Sequence, residues 1–261
     1  MSRVFDAFPG VLTWGTLFLC VVGAVVAPQW TLFIGGFGAA YVALRFVIAG
    51  AANLIGLRQI QSRTATNWHD VYNAQLKPDS LVWHTIHHVV IIPNYKEPYE
   101  LLCTTLGHLS LCDLAATNMI VVLALEGAEA DSFSKGRRLQ AEFRGRFSRL
   151  YVTIHPANLP GEMQCKSANL AWSARWVRQE LVERIKLNED HIIVTAMDAD
   201  TRWHPEYFTA LTAHFALAED RYSLFWQAPL RYQDNITDIH PVMRLVNDYG
   251  SGIELAYLAA P

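Results

Sequence analysis

Charged side chains are scarce in this sequence. Asp, Glu, Lys and Arg make up 17% of its 261 residues, whereas a typical soluble domain has about 25%. The formal net charge is −3, so the overall charge neither favours nor opposes a nucleic-acid partner, and we expect none. The length allows one or two domains that share one sizeable core.

Cysteine is scarce as well, and its four positions form neither a CxxC pair nor a set with metal-ligand spacing. A reducing compartment is the simpler explanation of this pattern. Several histidines lie close together in the sequence but match no zinc motif. They are His69, His84, His87 and His88.

Two common nucleotide-binding motifs are missing. The sequence contains no Walker A motif, and no G-x-G-x-x-G follows its first predicted strand. Both absences count against a P-loop protein and against a dinucleotide-binding domain.

Long apolar stretches are present near the N-terminus. Residues 11–27 are apolar apart from two threonines, Pro28-Gln29 interrupts the pattern, and a second apolar stretch covers residues 30–57. A helix that crosses a bilayer needs about 20 apolar residues. We therefore predict a membrane helical hairpin over residues 1–58.

Arg45 lies in the middle of the second stretch, where a charge costs about 2.5–3.5 kcal/mol on insertion scales. Either its side chain reaches the interface, or the span ends there and residues 46–57 lie along the membrane surface. Basic residues flank the hairpin on both sides, which places both ends in the cytosol. We expect a multi-pass protein of the inner cell membrane with a cytosolic main domain. A cleaved signal peptide is the competing interpretation, and the second stretch opposes it.

The rest of the chain divides into three parts. Residues 59–86 are polar and mixed, and we expect a connector near the lipid headgroups. Residues 87–240 alternate predicted strands and helices, and residues 241–261 are predicted to be mainly helical. The predicted strands are the apolar runs at 88–92, 118–125, 149–155, 192–197 and 222–226. Continuously apolar strands that alternate with helices indicate an α/β domain with a doubly wound, mostly parallel sheet.

Polar turns follow three of these strands, at 93–98, 125–128 and 198–204. Parallel strands present their carboxyl ends at one edge of the sheet, where such proteins bind ligands. Asp198 and Asp200 supply hard oxygen atoms that suit Mg²⁺ or Mn²⁺. A solvated turn whose aspartates cap the next helix is the alternative, and the shared edge favours the metal.

Lys166 and Asn169 are one turn apart at a predicted helix start, so both can face one ligand. A lysine there can neutralise a phosphate, and the helix start adds partial positive charge. With a cation at the Asp pair, Lys166 would screen a diphosphate leaving group. A solvated lysine beside an exposed asparagine is the alternative.

Four segments, in this order, resemble the family 2 glycosyltransferases, and more closely their membrane-embedded cellulose synthase and hyaluronan synthase-like branch. They are IIPNYKEP, KSANL, MDADT and QAPLRYQDN. The resemblance covers about residues 89–235, with two N-terminal membrane helices as in that branch. It implies a GT-A-like fold, a nucleotide-diphosphate sugar (with a UDP-sugar expected) as donor, and Mg²⁺ or Mn²⁺ between Asp200 and the diphosphate. It also implies transfer with inversion, on the cytosolic face, to a polysaccharide or lipid acceptor.

The resemblance assigns roles to individual residues. Asp200 would hold the metal, and Asp198 would either share it or instead contact the ribose or sugar of the donor. The implied donor-binding residues are Pro93, Tyr95, Glu97, Glu126, Lys166, Asn169 and Asp198.

The sequence departs from the family pattern at several positions. Leu125-Glu126-Gly127 stands where the family has Asp-Asp-Gly, and Ala171 replaces an asparagine. The family's catalytic base belongs to a later Glu-Asp pair, followed by Gln-x-x-Arg-Trp, and neither motif is found. No catalytic base is therefore assigned, and we expect the sequence to be the donor-binding part of a longer enzyme.

Two other functions compete with this one. A non-catalytic or truncated membrane protein that binds a nucleotide sugar or a partner without turnover would also lack the base. A nucleotidyltransferase on a similar sheet is opposed by the membrane hairpin and by the missing Gly-rich motif.

Overall fold

The structure is a computed structural model that describes residues 2–231 and 239–259. The chain divides into two compact units, one of Met1–Ala65 with Gln227–Pro261 and one of Thr66–Trp226. The end of the QAPLRYQDN segment, residues 232–235, lies outside the described residues.

Two long helices begin the first unit. Helix α1 covers Ser2–Val26 and α2 covers Pro28–Thr64. Pro28 occupies the first position of α2, where its missing N–H costs no hydrogen bond. Both helices are long and apolar enough to cross a membrane, over Ala7–Val26 and Pro28–Thr64. The predicted pair of apolar helices is thus confirmed, and it suggests association with a membrane.

Helix α2 continues without a break through Arg45. The guanidinium group of Arg45 donates a hydrogen bond to the hydroxyl of Tyr257 and lies 5.4 Å from the centre of that ring. Tyr257 belongs to the C-terminal part of the same unit, so Arg45 has a hydrogen-bond and cation–π partner within the unit.

That C-terminal part is also helical. The last α-helix of the described chain, Pro241–Glu254, continues as a π-helical turn over Leu255–Ala259. It packs on α2, where the rings of Phe46 and Tyr249 are 5.7 Å apart.

The second unit contains a four-stranded, entirely parallel sheet. Its strands are β1 (His87–Pro93), β2 (Met119–Glu126), β3 (Arg149–His155) and β4 (Ile192–Ala196). The strand order is β3-β2-β1-β4. Every residue of β2 is buried, as its continuous apolar sequence predicts. The predicted α/β class and parallel sheet are confirmed.

Helices cover both faces of this sheet. They are α3 (Trp68–Gln75), α4 (Tyr99–Leu109), α5 (Ala115–Asn118), α6 (Ser132–Glu142), α7 (Lys166–Val177) and α8 (Tyr207–Leu217). Leu106 of α4, Leu139 of α6 and Phe208 of α8 pack on one face with Val90 and Leu123. The other face holds Val89, Val122, and Val177 of α7.

Residues 66–86 belong to the second unit. Trp68 and Tyr72 of α3 are buried in a cluster with Ile193, Leu211 and Phe215. This segment therefore contributes core side chains to the α/β unit.

The strand predicted at 222–226 is wrong. Arg221–Ser223 form a 3-10 turn, and the following residues up to 231 have no regular structure. The buried Arg221 side chain donates to the carbonyl oxygen of Ala218 at 2.6 Å, and Trp226 packs on Phe215 with ring centres 5.8 Å apart. Trp226 thus packs on the core, whereas Tyr222 and Phe225 are exposed, and the run forms no strand.

Candidate functional site

A cavity of about 480 Å³ lies at the carboxyl ends of β1, β2 and β4, next to the start of α7. All eight residues to which the sequence assigned donor or metal binding line it. They are Pro93, Tyr95, Glu97, Glu126, Lys166, Asn169, Asp198 and Asp200. Four separate chain segments therefore bring their polar residues to one place, at the edge of the sheet where a parallel α/β fold binds ligands.

The turn after β1 is held by a buried lysine. Lys135 of α6 donates to the side-chain oxygen of Asn94 and to the carbonyl oxygen of Glu97, both at 3.1 Å. It also forms a buried ion pair with Glu129, which accepts a hydrogen bond from the backbone N–H of Lys96 at 3.2 Å. A paired and fully bonded ammonium group can remain buried, and here it fixes the turn that carries Tyr95 and Glu97.

Glu126 is held at the end of β2 by a chain of polar side chains. Nδ1 of His155 lies 3.1 Å from Oε2 of Glu126, and Nε2 of His155 lies 2.6 Å from Oε1 of Glu162. The side chain of Gln164 donates to the same Oε2 atom at 3.4 Å. Both side-chain contacts that the Glu126 carboxylate makes in the described chain involve Oε2, which leaves Oε1 for a ligand.

Gly127 permits a close approach of two chain segments beside this carboxylate. Its N–H donates to the carbonyl oxygen of His155 at 2.8 Å. A Cβ atom at this position would lie 3.0 Å from the same oxygen. The glycine therefore lets β2 and β3 end close together.

The first turn of α7 contributes Lys166 and Asn169. Asn169 is buried, and its side-chain N–H group donates to the carbonyl oxygen of Ala124 at 2.8 Å. Lys166 forms an ion pair with Asp198, and both side chains are more than half exposed. The N-terminal end of a helix also carries partial positive charge, so this corner of the cavity offers positive groups to an anion that displaces Asp198 from Lys166.

Asp198 and Asp200 flank a buried residue in the turn after β4. The hydroxyl of Thr105 donates to the carbonyl oxygen of Ala199 at 2.5 Å, and the N–H of Thr201 donates to the carbonyl oxygen of Asp198 at 3.1 Å. Both aspartate residues are exposed along the cavity wall. The backbone of the turn is fixed while the carboxylates remain accessible.

The donor set at Asp198 and Asp200 fits Mg²⁺ or Mn²⁺. Within residues 2–231 and 239–259, no group of three or more His, Cys, Asp and Glu side chains is placed to hold a metal. Mg²⁺ does not need such a cage, because it keeps several waters and binds through one or two carboxylates and substrate phosphates. The lining residues carry four carboxylates and one ammonium group, so a bound cation would also offset the repulsion of an anionic ligand.

Sequence reasoning missed several residues of this site. Asn94 lies inside the IIPNYKEP segment but was passed over between Pro93 and Tyr95. Lys135, His155 and Glu162 act through contacts that span between 6 and 41 positions along the chain. No local pattern predicts such contacts, because they depend on which helix covers which strand.

No known protein-family model matches this chain, and no curated protein matches its sequence. The functional assignment therefore depends on the residues and their geometry.

Proposed function

We propose that this protein is a membrane-bound glycosyltransferase similar to family 2, which transfers a sugar with inversion from a nucleotide-diphosphate sugar. The acceptor would be a polysaccharide or a lipid, and the reaction would take place on the cytosolic face. The observation that carries the proposal is the convergence of eight residues on one cavity: seven belong to the IIPNYKEP, KSANL and MDADT segments, and the eighth is Glu126 at the end of β2. A cavity of about 480 Å³ also falls within the usual range for small-molecule sites.

The residues around the cavity fit different parts of such a donor. Tyr95 is 51% exposed and offers an aromatic face on which a base can stack. Lys166 and the start of α7 would bind the diphosphate. Asp198 and Asp200 would hold Mg²⁺ or Mn²⁺, which supplies positive charge as the diphosphate leaves.

In the structure Lys166 and Asp198 form an ion pair with each other, and this pair must separate before Lys166 binds the diphosphate and Asp198 binds the metal. Both side chains are exposed, and exposed ion pairs contribute only about 0–1 kcal/mol. A diphosphate and a cation can therefore separate the two groups at little cost, after which Lys166 faces phosphate and Asp198 faces the metal.

Donor binding is tested by thermal unfolding of the full chain in detergent with Mn²⁺ and a panel of UDP- and GDP-sugars. A ligand at about 100 times its Kd stabilises a protein by about 2.7 kcal/mol, which is readily detected. Stabilisation that requires both Mn²⁺ and one nucleotide sugar supports the proposal. No stabilisation by any member of the panel would contradict it.

Transfer is measured separately, with a radiolabelled sugar donor and membrane lipid or oligosaccharide acceptors. Labelled product and a free nucleoside diphosphate are expected. Binding without any product would show that the transfer step of the proposal is wrong, and release of pyrophosphate would indicate nucleotidyl transfer instead.

A further inference from the structure

Helix α9, Pro241–Glu254, has a sharply divided surface. Its apolar side chains recur at every third or fourth position, so they fall on one face, in an arc of about 100° at 3.6 residues per turn. They are Val242, Leu245, Val246, Tyr249 and Ile253, and Met243 lies beside them. The opposite face is polar and carries Arg244, Asn247, Asp248 and Ser251.

The apolar face of α9 is exposed. Its five residues are between 37% and 71% exposed. Single exposed apolar residues are ordinary on a protein surface, but a continuous stripe along a helix is typical of a surface that contacts a partner or lipid.

The contacts of α9 with α2 place it at a defined level along that helix. The rings of Phe46 and Tyr249 are 5.7 Å apart, and a Cβ atom on Gly252 would lie 3.3 Å from Nδ2 of Asn53. Phe46 is about 27 Å along α2 from Pro28, and Asn53 is about 38 Å along it. A hydrocarbon core is about 30 Å thick. For a helix that enters the core near Pro28, α9 therefore packs where the core ends.

The length of α9 and the surface beside it fit this level. With 14 residues, α9 is about 21 Å long, which is too short to cross a core of about 30 Å. Next to its contacts, α2 also exposes apolar side chains, among them Val47, Leu54 and Ile55. The apolar face of α9 therefore continues the apolar surface of a candidate membrane span.

We propose that α9 lies along the surface of the bilayer, with its apolar face inserted between the lipid chains. A helix of this kind buries its apolar face by about 5–10 Å and keeps its polar face in water. Tyr249 suits this boundary, because its ring is apolar and its hydroxyl is polar. The α/β unit is then attached to the membrane at both ends of its sequence, through α2 before it and α9 after it. This contact does not depend on what the cavity binds.

The test uses the full chain in phospholipid nanodiscs, with the photoreactive residue p-benzoylphenylalanine at one position at a time. Placed at Val246, it probes the centre of the apolar face. Placed at Asp248, it is the matched control, because both positions are exposed and point about 160° apart on the same helix. After illumination, intact mass spectrometry measures the fraction of protein that carries a phospholipid adduct. We expect this fraction to be at least about fivefold larger for position 246, because only the apolar face reaches the lipid chains.

Two further positions calibrate the yield. Leu32 is an exposed residue in the first half of α2 and should give lipid adducts, whereas Asp190 is an exposed residue of the α/β unit and should give none. Unchanged thermal midpoints show that the variants fold. If position 32 gives no adduct, α2 is outside the bilayer and the proposal for α9 fails with it.

The other outcomes concern α9 alone. A yield at position 246 as low as at position 190 would show that the apolar face lies in water, and equally high yields at 246 and 248 would show that the helix is immersed on all sides. A crosslink to a second copy, or to another segment of the same chain, would show that protein covers this face. Each of these results would overturn the proposal.

Discussion

Lys166 illustrates how a residue can matter for binding and contribute little to stability. Its ion pair with Asp198 is exposed on both sides, so the pair contributes only about 0–1 kcal/mol to folding. A phosphate group in the same place would form charge-assisted hydrogen bonds, which are worth about 1.5–3 kcal/mol.

We predict that Lys166→Met weakens binding of a nucleoside diphosphate by about 1.5–3 kcal/mol, or roughly tenfold to a hundredfold, because a charged phosphate ligand is lost. The thermal midpoint should hardly change. Lys77→Met is the matched control, because Lys77 forms an equally exposed ion pair with Glu219, outside the cavity lining. Titration calorimetry measures both variants, and equal affinity for Lys166→Met and wild type would refute the phosphate role.

His88 is a buried residue whose charge state affects folding. Its Nε2 atom lies 2.7 Å from the hydroxyl of Thr212, which itself donates to the carbonyl oxygen of Phe208. The hydroxyl hydrogen is therefore used, so Nε2 of His88 is the donor in this contact. Burial, reinforced by the nearby His87, lowers the pKa of His88 to about 3.

This lowered pKa predicts a pH dependence of stability. Between pH values of about 6.5 and 3 the unfolded chain binds a proton at His88 that the folded protein does not bind. The free energy of unfolding should therefore fall as the pH falls through this window, by roughly 1 kcal/mol per pH unit. Denaturant unfolding in detergent at several pH values measures the slope.

His88→Gln is the control variant for this slope. The glutamine side chain can still donate an N–H to Thr212, but it does not titrate. The variant should lose less stability than wild type on acidification. Parallel curves for the two proteins would show that His88 does not carry the effect.

At the scale of secondary-structure elements, the packing of α6 against the sheet depends on a glycine. A Cβ atom on Gly136 would lie 2.8 Å from a methyl group of Val152 and 3.0 Å from one of Leu125. A β-branched side chain in a strand cannot easily turn away. The missing side chain therefore sets how closely α6, and with it Lys135, approaches the sheet.

Gly136→Ala should destabilise the protein by about 1–3 kcal/mol, because overpacking outweighs the better helix propensity of alanine. Gly107→Ala in α4 is the matched helical control, since no atom lies within 4 Å of the added methyl group. It should stabilise by about 0.5–1 kcal/mol. Unfolding curves of both variants test the packing, and a stabilising Gly136→Ala would contradict it.

Some of these elements can be predicted from the sequence, and the run at 222–226 cannot. Strands β1 and β2 were predictable because a buried parallel strand is apolar along its whole length, and residues after such strands must share one edge. The error at 222–226 has the opposite cause. A short apolar run can pair as a strand or remain irregular, and here Trp226 packs on Phe215, outside the run, while Phe225 stays exposed.

In the candidate site, too, some residues can be predicted from the sequence and others cannot. Asp198, Asp200, Lys166 and Asn169 could be found because they follow strands or begin a helix. The positions of Lys135 and His155 could not, because they act across the sheet on residues far away in the sequence.

At the scale of the whole molecule, the apolar helices α1 and α2 lead to a direct prediction. Their large apolar side chains are exposed on the protein surface, which is costly in water but favourable in lipid. The full chain should remain in the membrane fraction after an alkaline carbonate wash and be released by detergent. Its intact mass should include residues 1–27; a soluble chain without them would instead indicate a cleaved signal peptide.

The proposed function requires the cavity at the carboxyl edge of the sheet to bind a nucleotide-diphosphate sugar through a cation at Asp198 and Asp200. The most direct measurement is calorimetric titration of the full chain in detergent, with and without Mn²⁺, for wild type and for the Asp198→Asn/Asp200→Asn double variant. Both aspartates are exposed, so the variant should fold normally. Glu189→Gln/Asp190→Asn removes two other exposed carboxylates of the same unit and is the control.

We expect wild type and the control to bind a nucleotide sugar only when Mn²⁺ is present. The double variant should lose more than about 100-fold in Mn²⁺-dependent affinity, because even residues that merely orient metal ligands typically contribute 10–100-fold. Unchanged Mn²⁺-dependent binding by the double variant would contradict the account.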